Sequence, residues 1–513
     1  MDAIVTNPGS TQLAQRQDIR YRAATQYQPV GSKGPSMTHN PPQPLTDLAQ
    51  LNALCQRQRQ AFAAAPFPSL AQRKDKLRRL IAALQKHQNA IVDSVNADFG
   101  VRSPSETRLV EVLGPVLHAR HALSHLRRWM KPRRRSTELL FLTNQAWVET
   151  QPKGVVGIIG PWNFPFYLTV GPLVTALAAG NRAMIKTSEF APRSSALLRQ
   201  ILAECFDEDE VAVCEGGPEV AQAFTRLPLD HLVFTGSPRV GRDVMRAAAD
   251  NLTPVTLELG GKSPAIVGPQ ADLRDAALRI AHGKAFNAGQ ICVAPDYALV
   301  PRGQATAFAQ AVNQAWQRLY PGISANPDYT SIITERHAQR LRSMLQEAEA
   351  GGAQLLRCGS DTGQGRQLPL TVVTGASADM QLMSEEIFGP ILPVVEYDRL
   401  EDAMAFIGER ERPLSLYGFG LSAEQRQTLL RGTHAGGMTF DDWGWHVFQH
   451  DMPFGGIGNS GMGSYHGEEG FRELSHGKSV MRKHRWFPVA LFYPPYGNLV
   501  QRLSMWFYLG RGH

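Results

Sequence analysis

Cysteine is scarce in this 513-residue chain, and the five present, Cys55, Cys205, Cys214, Cys292 and Cys358, form no CxxC pair and no regular spacing. That excludes a disulfide framework and a zinc cluster, so no metal is expected. A reducing cytoplasm is the expected home, since it keeps a reactive thiol reduced. A long apolar run is also missing. Residues 1–40 are rich in Gln, Thr, Ser and Gly without an apolar h-region, so they read as a disordered extension and not as a signal peptide. Translation is expected to start at Met1 or Met37, the latter standing just before the first helical pattern. Trp486 to Val500 carries no charge, but Pro494 and Pro495 break it and it is too short for a confident membrane span. This tail is expected to dock on the body or on a partner subunit, ahead of membrane contact. The 46 Gly and 34 Pro follow no short period, which removes collagen-like and low-complexity readings.

What is present is an ordinary globular composition, 43% hydrophobic and 19% charged, long enough for two or three domains. Acidic residues are outnumbered, and the net charge is +7. The densest basic run, Arg127, Arg128, Lys131 and Arg133 to Arg135, lacks any nucleic-acid fold signature. It reads as a solvated helix end and the loop after it, so no nucleic-acid partner is expected.

From Leu45 to about Arg128 the pattern is helical, with Leu70, Leu77, Leu80, Ile81 and Leu84 at helix spacing and Gly100 as a stop. Residues 138–149 read as a strand. After Lys153 strands and helices alternate: strands at Val155–Ile159, Ala183–Lys186, Val211–Cys214, His231–Phe234 and Val255–Glu258, with helices between, the first at Leu173–Ala179. A second run of the same kind begins after Gly261. The fold class is therefore α/β with parallel sheets.

Three residues could carry covalent chemistry. Cys292 sits among small residues in Phe286-Asn287-Ala288-Gly289-Gln290-Ile291-Cys292, where a substrate could reach the sulfur. A cysteine in an apolar setting is more often plain core, so a nucleophile here needs a proton acceptor and oxyanion donors. Glu258 ends an apolar strand directly before Leu259-Gly260-Gly261, and partial burial there would raise its pKa toward that of a useful base. Asn163 lies in the turn Pro161-Trp162-Asn163-Phe164-Pro165, and its amide cannot lose its donors as pH changes. Each has a structural alternative, Glu258 as a turn residue and Asn163 as a cap. A dinucleotide site is suggested by Phe234-Thr235-Gly236-Ser237 leading to Val240-Gly241, a strand, glycine turn and helix that could cradle a pyrophosphate. G-x-G-x-x-G is absent, so this spacing is weak by itself. Lys186, at a strand end, could reach ribose hydroxyls or simply be solvated.

Together these strings resemble the aldehyde dehydrogenase superfamily from about Leu45 to Ser479, with Lys186-Thr187-Ser188-Glu189, Glu385-Glu386-Ile387-Phe388-Gly389-Pro390 and Pro453-Phe454-Gly455-Gly456 as further matches in order. The Gly458–Gly463 and Ser464-Tyr465-His466-Gly467 strings look like the class 3 branch, and Asp441–His446 most resembles bacterial coniferyl aldehyde dehydrogenases. The resemblance implies NAD, and possibly NADP, as cofactor. It implies Cys292 as nucleophile, Asn163 as oxyanion donor and Glu258 as activator of the hydrolytic water. It places Lys186 at the adenosine ribose, Glu386 at the nicotinamide ribose and Phe388 beside the nicotinamide. Trp162, Gly236, Ser237 and Gly241 fall near the adenosine and phosphates. Glu189 could accept from a ribose 2′-hydroxyl and repel a 2′-phosphate, although Thr187 stands where such relatives have proline. Trp443 and Trp445 fall where the family's substrate entrance is lined, and would suit an aromatic aldehyde if they are not core packing. A medium- or long-chain aliphatic aldehyde is the alternative substrate. A CoA-acylating enzyme is a weaker reading because such members lack the glutamate present here as Glu258; a non-catalytic relative would have lost one of the three. The implied fold is a dinucleotide-binding domain from 41–138 and 153–262, a catalytic domain from 263–450, a small β bridging or oligomerisation element from 139–152 and 470–485, and a C-terminal tail from 486–513. A homodimer is implied.

Overall fold

Short runs of branched apolar residues become strands buried on both faces, and the amphipathic stretches between them become the helices that cover the sheets. The computed structural model describes residues 48–510 apart from 325 and 488. The extension expected over 1–40, and with it Met37, lies outside the described residues.

One sheet has six strands in the order Gly461–Met462, Val255–Glu258, His231–Thr235, Val155–Ile159, Arg182–Lys186 and Val211–Cys214. The last five are parallel and the first is antiparallel to its neighbour. Val155–Ile159 comes first in the chain yet sits between Arg182–Lys186 and His231–Thr235. The winding direction reverses there, which opens a crevice at the carboxyl ends of these strands. All five residues of Val155–Ile159 are buried, which is why it reads as a continuous apolar run and not as an alternating one. A second sheet of seven strands runs Gln354–Arg357, Thr371–Thr374, Ile391–Tyr397, Tyr297–Pro301, Pro264–Val267, Ser415–Phe419 and Gly437–Phe440. It is parallel except at the Gln354–Arg357 edge.

The helix Leu70–Lys86 is opened by a reciprocal cap, in which Ser69 Oγ accepts from Gln72 N and Gln72 Oε1 accepts from Ser69 N, and it buries Leu77, Leu80 and Leu84. Helix Gln88–Phe99 stops at Gly100 with φ +84°, a conformation that glycine adopts without strain.

Three local expectations were displaced. The helix expected from Leu173 begins at Tyr167 and carries Pro172 inside it. Proline there forfeits one backbone bond, but every residue of Tyr167–Ala179 is buried, so packing of the whole cylinder outweighs that loss. The strand expected over 138–149 is instead a single turn at Leu139–Phe141 followed by strand Gln145–Pro152. The arginines expected in a loop form a strand, Arg133–Arg135, antiparallel to it, and Ser475–Arg482 pairs along its other side. Leu139-Leu140-Phe141-Leu142 has no period of two, so its apolarity alone could not choose between turn and strand. Extended backbone points successive arginines to opposite faces, which relieves their repulsion.

Candidate active site

Three turns leave the carboxyl ends of adjacent strands and meet in one cleft of about 270 Å³, lined by Pro161 to Asn163, Thr235 to Ser237 and Glu258 to Gly260. Loops and a helix beside the second sheet contribute Cys292, His337, Arg340, Glu386 and Phe388 to the same cleft. The cleft therefore opens at the winding reversal of the six-stranded sheet, where it faces the loops of the other.

Cys292 follows a kinked turn. Asn287 and Ala288 have φ of +49° and +51°, and Gly289 follows at +74°. Left-handed non-glycine residues cost free energy and persist only where the surroundings hold them. Here they are held by a buried network. Asn287 Nδ2 donates to Gln290 O at 3.1 Å, Gln290 Nε2 donates to Asn287 O at 2.9 Å, and Gln290 Oε1 accepts from Ile333 N at 2.9 Å. Asn163 Nδ2 donates to Gln290 O at 3.0 Å, tying the oxyanion candidate to the cysteine loop. One amide hydrogen of Asn163 is spent in this way and its partner is left for another acceptor. On the far side, Arg102 donates to Asn163 O at 2.6 Å, and Glu111 accepts from Phe166 N and Tyr167 N at 3.0 and 2.9 Å. Gly289 is required by contact as well as by angle, since a Cβ there would stand 2.5 Å from Gly389 O.

Glu258 is buried, and neither of its carboxylate oxygens has a hydrogen-bond partner. Desolvation therefore holds its carboxyl well above the usual carboxylate range. Glu386 is pushed up to about 8, by burial first and then by the charge of Asp296, and its Oε1 is also unpartnered. Its loop is fixed by Lys262, whose Nζ donates to Asp296 Oδ2 at 2.6 Å, Leu382 O at 2.8 Å and Glu385 O at 2.9 Å. The Cys292 thiol is pushed up by burial and then by Glu386 and Glu258, while the backbone N–H groups of Cys292 and Val293 act in the opposite direction. The cleft by itself thus keeps Cys292 protonated, and a base must remove the proton.

The comparisons decide what this arrangement is. Residues 42–480 match the aldehyde dehydrogenase family. The chain is 51% identical over 458 residues to a probable coniferyl aldehyde dehydrogenase of Pseudomonas aeruginosa, covering 89% of this chain and 96% of that one. It is 43% identical to the coniferyl aldehyde dehydrogenase of a Pseudomonas species, over 84% of this chain and 90% of that one. Among solved structures it superimposes on Staphylococcus aureus AldH in a substrate-bound state with a TM-score of 0.84 at 35% identity, covering 89% and 99% of the two chains. The chain belongs to the aldehyde dehydrogenase family. It is an aldehyde dehydrogenase of the α/β fold that the family shares.

In this aldehyde dehydrogenase the cleft has features that fit a dinucleotide. Ser237 Oγ caps helix Pro238–Ala249, so the free N–H groups of its first turn rise behind Gly236 and Ser237 at the cleft wall. The unpartnered Oε1 of Glu386 is an acceptor suited to a ribose hydroxyl, and its other oxygen would stand 2.0 Å from a Cβ on Gly260. Trp162 and Phe388 meet edge to face with ring centroids 5.4 Å apart, and Phe388 holds φ +52° to do so.

Cys292, Glu258, Asn163, Trp162, Gly236, Ser237, Glu386 and Phe388 are thus brought together. Five other expected site residues do not line the cleft. Lys186 is buried, and its Nζ donates to Thr187 O. Glu189 is exposed beyond it. Gly241 faces the sheet, where a Cβ would meet Leu259 at 2.7 Å, so its smallness serves helix–strand packing. Trp443 is only 8% exposed because its ring fills the notch over Gly283 and its Nε1–H donates to His282 Nδ1 at 3.1 Å. Trp445 is 59% exposed and donates to Asp442 Oδ2 at 2.7 Å. The aromatic groups whose ionisation is coupled to the Cys292 charge are Tyr167, Tyr417 and Tyr465, which come from three separate segments. Sequence reasoning missed these, together with Arg102, Glu111, His337 and Arg340. Asn287 and Gln290 stood inside the quoted cysteine string, and their amides were the available signal.

Proposed function

We propose that this aldehyde dehydrogenase oxidises an aromatic aldehyde of the coniferyl type to its carboxylic acid through a thioester on Cys292. The observation that carries the mechanism is that Cys292, the unspent amide hydrogen of Asn163 and the two unpartnered oxygens of Glu258 share one cleft. The Cys292 thiol gives up its proton to solvent water reaching the cleft, which leaves Glu258 ionised, and the sulfur bonds to the aldehyde carbon. The oxyanion so formed accepts from Asn163 Nδ2 and from the Cys292 backbone N–H. Trp162, Gly236, Ser237, Glu386 and Phe388 would hold NAD(P), which would supply the acceptor for the hydride that leaves this carbon; the carbonyl re-forms and the acyl group stays on the Cys292 sulfur. Glu258 then takes a proton from water, whose oxygen bonds to the acyl carbon; the carbon–sulfur bond breaks, and the sulfur leaves to be reprotonated.

The aromatic class is supported by the names of the two Pseudomonas relatives and by the three tyrosines around Cys292. We assign cofactor contact to residues 41–138 and 153–262, catalysis to 263–450, and joining of two copies to 139–152 and 470–485. The last assignment is supported by Ser475–Arg482, an outer strand of the three-stranded sheet that leaves most of its residues exposed. Lys186 and Glu189 belong to the adenosine end. The Glu189 carboxylate repels a 2′-phosphate, which favours NAD while leaving some NADP use. The five free cysteines suit a cytoplasmic setting; among the described residues no helix is long and apolar enough to cross a membrane. The test is reduced-cofactor formation at 340 nm with coniferaldehyde, benzaldehyde and hexanal in parallel, alongside Cys292→Ala. Coniferaldehyde should give the highest kcat/KM, and Cys292→Ala should abolish turnover. Preference for hexanal would overturn the substrate class, and turnover only with added CoA would overturn the role of Glu258.

A further inference from the structure

Away from the cleft, the helix Gly114–Trp129 carries two histidines one turn apart, His121 and His125, whose rings stack with centroids 4.2 Å apart. Trp129, one turn further on, stacks against His125 at 5.8 Å and fixes the row. The turn after Trp445–Phe448 sets Asp451 opposite this row, with Oδ1 3.3 Å from His121 Nε2. One ring nitrogen from each histidine and one Asp451 oxygen all lie within 4.8 Å of one another.

Geometry favours an ion over a hydrogen-bonded triad. Ligand bonds of about 2.0–2.1 Å to a tetrahedral divalent ion put neighbouring ligand atoms about 3.3 Å apart, which is the His121–Asp451 separation. His121 Nε2 is buried and makes no hydrogen bond of good geometry. His125 Nδ1 lies 2.9 Å from His121 O and 2.8 Å from Ser124 Oγ. Donation of Nδ1–H to a backbone carbonyl leaves the lone pair on Nε2 and fixes the ring, as histidine ligands to metals commonly are. A second observation points the same way. His450, the residue before Asp451, is 6% exposed, its Nε2 has no partner, and it lies near enough to His121 for the two charges to repel. Five imidazoles, counting His118 stacked on His450 at 5.1 Å and His466 4.9 Å from His118, therefore crowd a corner whose only nearby carboxylate among these contacts is Asp451. Imidazole nitrogens beside one carboxylate are the ligand chemistry of a borderline divalent transition ion.

We propose that His121, His125 and Asp451 bind a divalent transition metal ion of the zinc, nickel or cobalt class, with water completing its coordination. The ion would clip the turn at Asp451 to helix Gly114–Trp129, outside the catalytic cleft. Cobalt(II) serves as the probe, titrated into full-length protein free of any affinity tag and followed by its visible ligand-field bands, with zinc(II) as competitor. We expect one cobalt per chain, bands of nitrogen and oxygen ligation displaced by zinc, and affinity at least about tenfold weaker in Asp451→Asn and His125→Gln, as loss of one ligand predicts. Asp451 is 61% exposed, so Asp451→Asn folds, and its turnover of aldehyde should stay at the wild-type level. Absence of binding, equal affinity in both variants, or a thiolate-to-cobalt charge-transfer band that moves the ion to a cysteine would each overturn the proposal.

Discussion

Replacing Glu258 by Gln separates the two halves of the reaction. The amide has nearly the same volume and needs no new space, and it cannot accept a proton. Both carboxylate oxygens are unpartnered in the folded chain, so the change breaks no hydrogen bond. A positioned general base contributes about 10²–10⁴ in rate, and steady-state turnover should fall by that factor. Rapid mixing with coniferaldehyde and NAD, read at 340 nm, should still show a burst of one reduced cofactor per site, since acyl transfer to sulfur precedes hydrolysis. The pH dependence follows from the same burial. Glu258 acts ionised and its carboxyl is held well above 4.5, so wild-type kcat rises with pH through that raised value while the Gln variant stays flat. Stability moves in the opposite direction. A buried neutral carboxyl stabilises fully below the unfolded value of 4.5, and that contribution is lost as pH rises through the folded value. Glu258→Gln should therefore have the higher Tm at alkaline pH. Steady-state turnover within about threefold of wild type, or loss of the burst amplitude, would refute the assignment.

Asn163→Ala should lower kcat by about 10²–10³ with a smaller change in KM, because the lost donor serves the oxyanion; steady-state kinetics with one aldehyde checks it, and an effect confined to KM would contradict it. Gly289→Ala places a Cβ 2.5 Å from Gly389 O at φ +74°, and overpacking of this kind costs about 1–3 kcal/mol before the left-handed strain is added. It should lower both Tm and activity, because the displaced loop carries Cys292; thermal unfolding and turnover measured together check this.

The chemistry was legible in the sequence wherever one short string sets both a residue and its backbone. Glu258 ends a strand and Asn163 follows one, parallel strands deliver their carboxyl ends to one edge, and Cys292 arrives there from the turn after helix Leu273–Ala285, so three distant strings meet in a single cleft. Trp443 was not legible in this way. Whether its ring faces substrate or core depends on the bare backbone of Gly283, which lies on another helix. The tyrosines near Cys292 and the Arg102–Glu111 support of Asn163 come from segments with no shared pattern, and only packing brings them together. The Arg133–Arg135 strand was hidden because its pairing partners fix it, while its own residues favour no element.

The central claim is a covalent acyl group on Cys292. The most direct measurement is mass spectrometry of Glu258→Gln, quenched in acid after mixing with coniferaldehyde and NAD and then digested. The peptide containing Cys292 should gain the mass of the acyl group, and the adduct should be lost on treatment with hydroxylamine. An unmodified Cys292 peptide during turnover, or the adduct on another cysteine, would contradict the account.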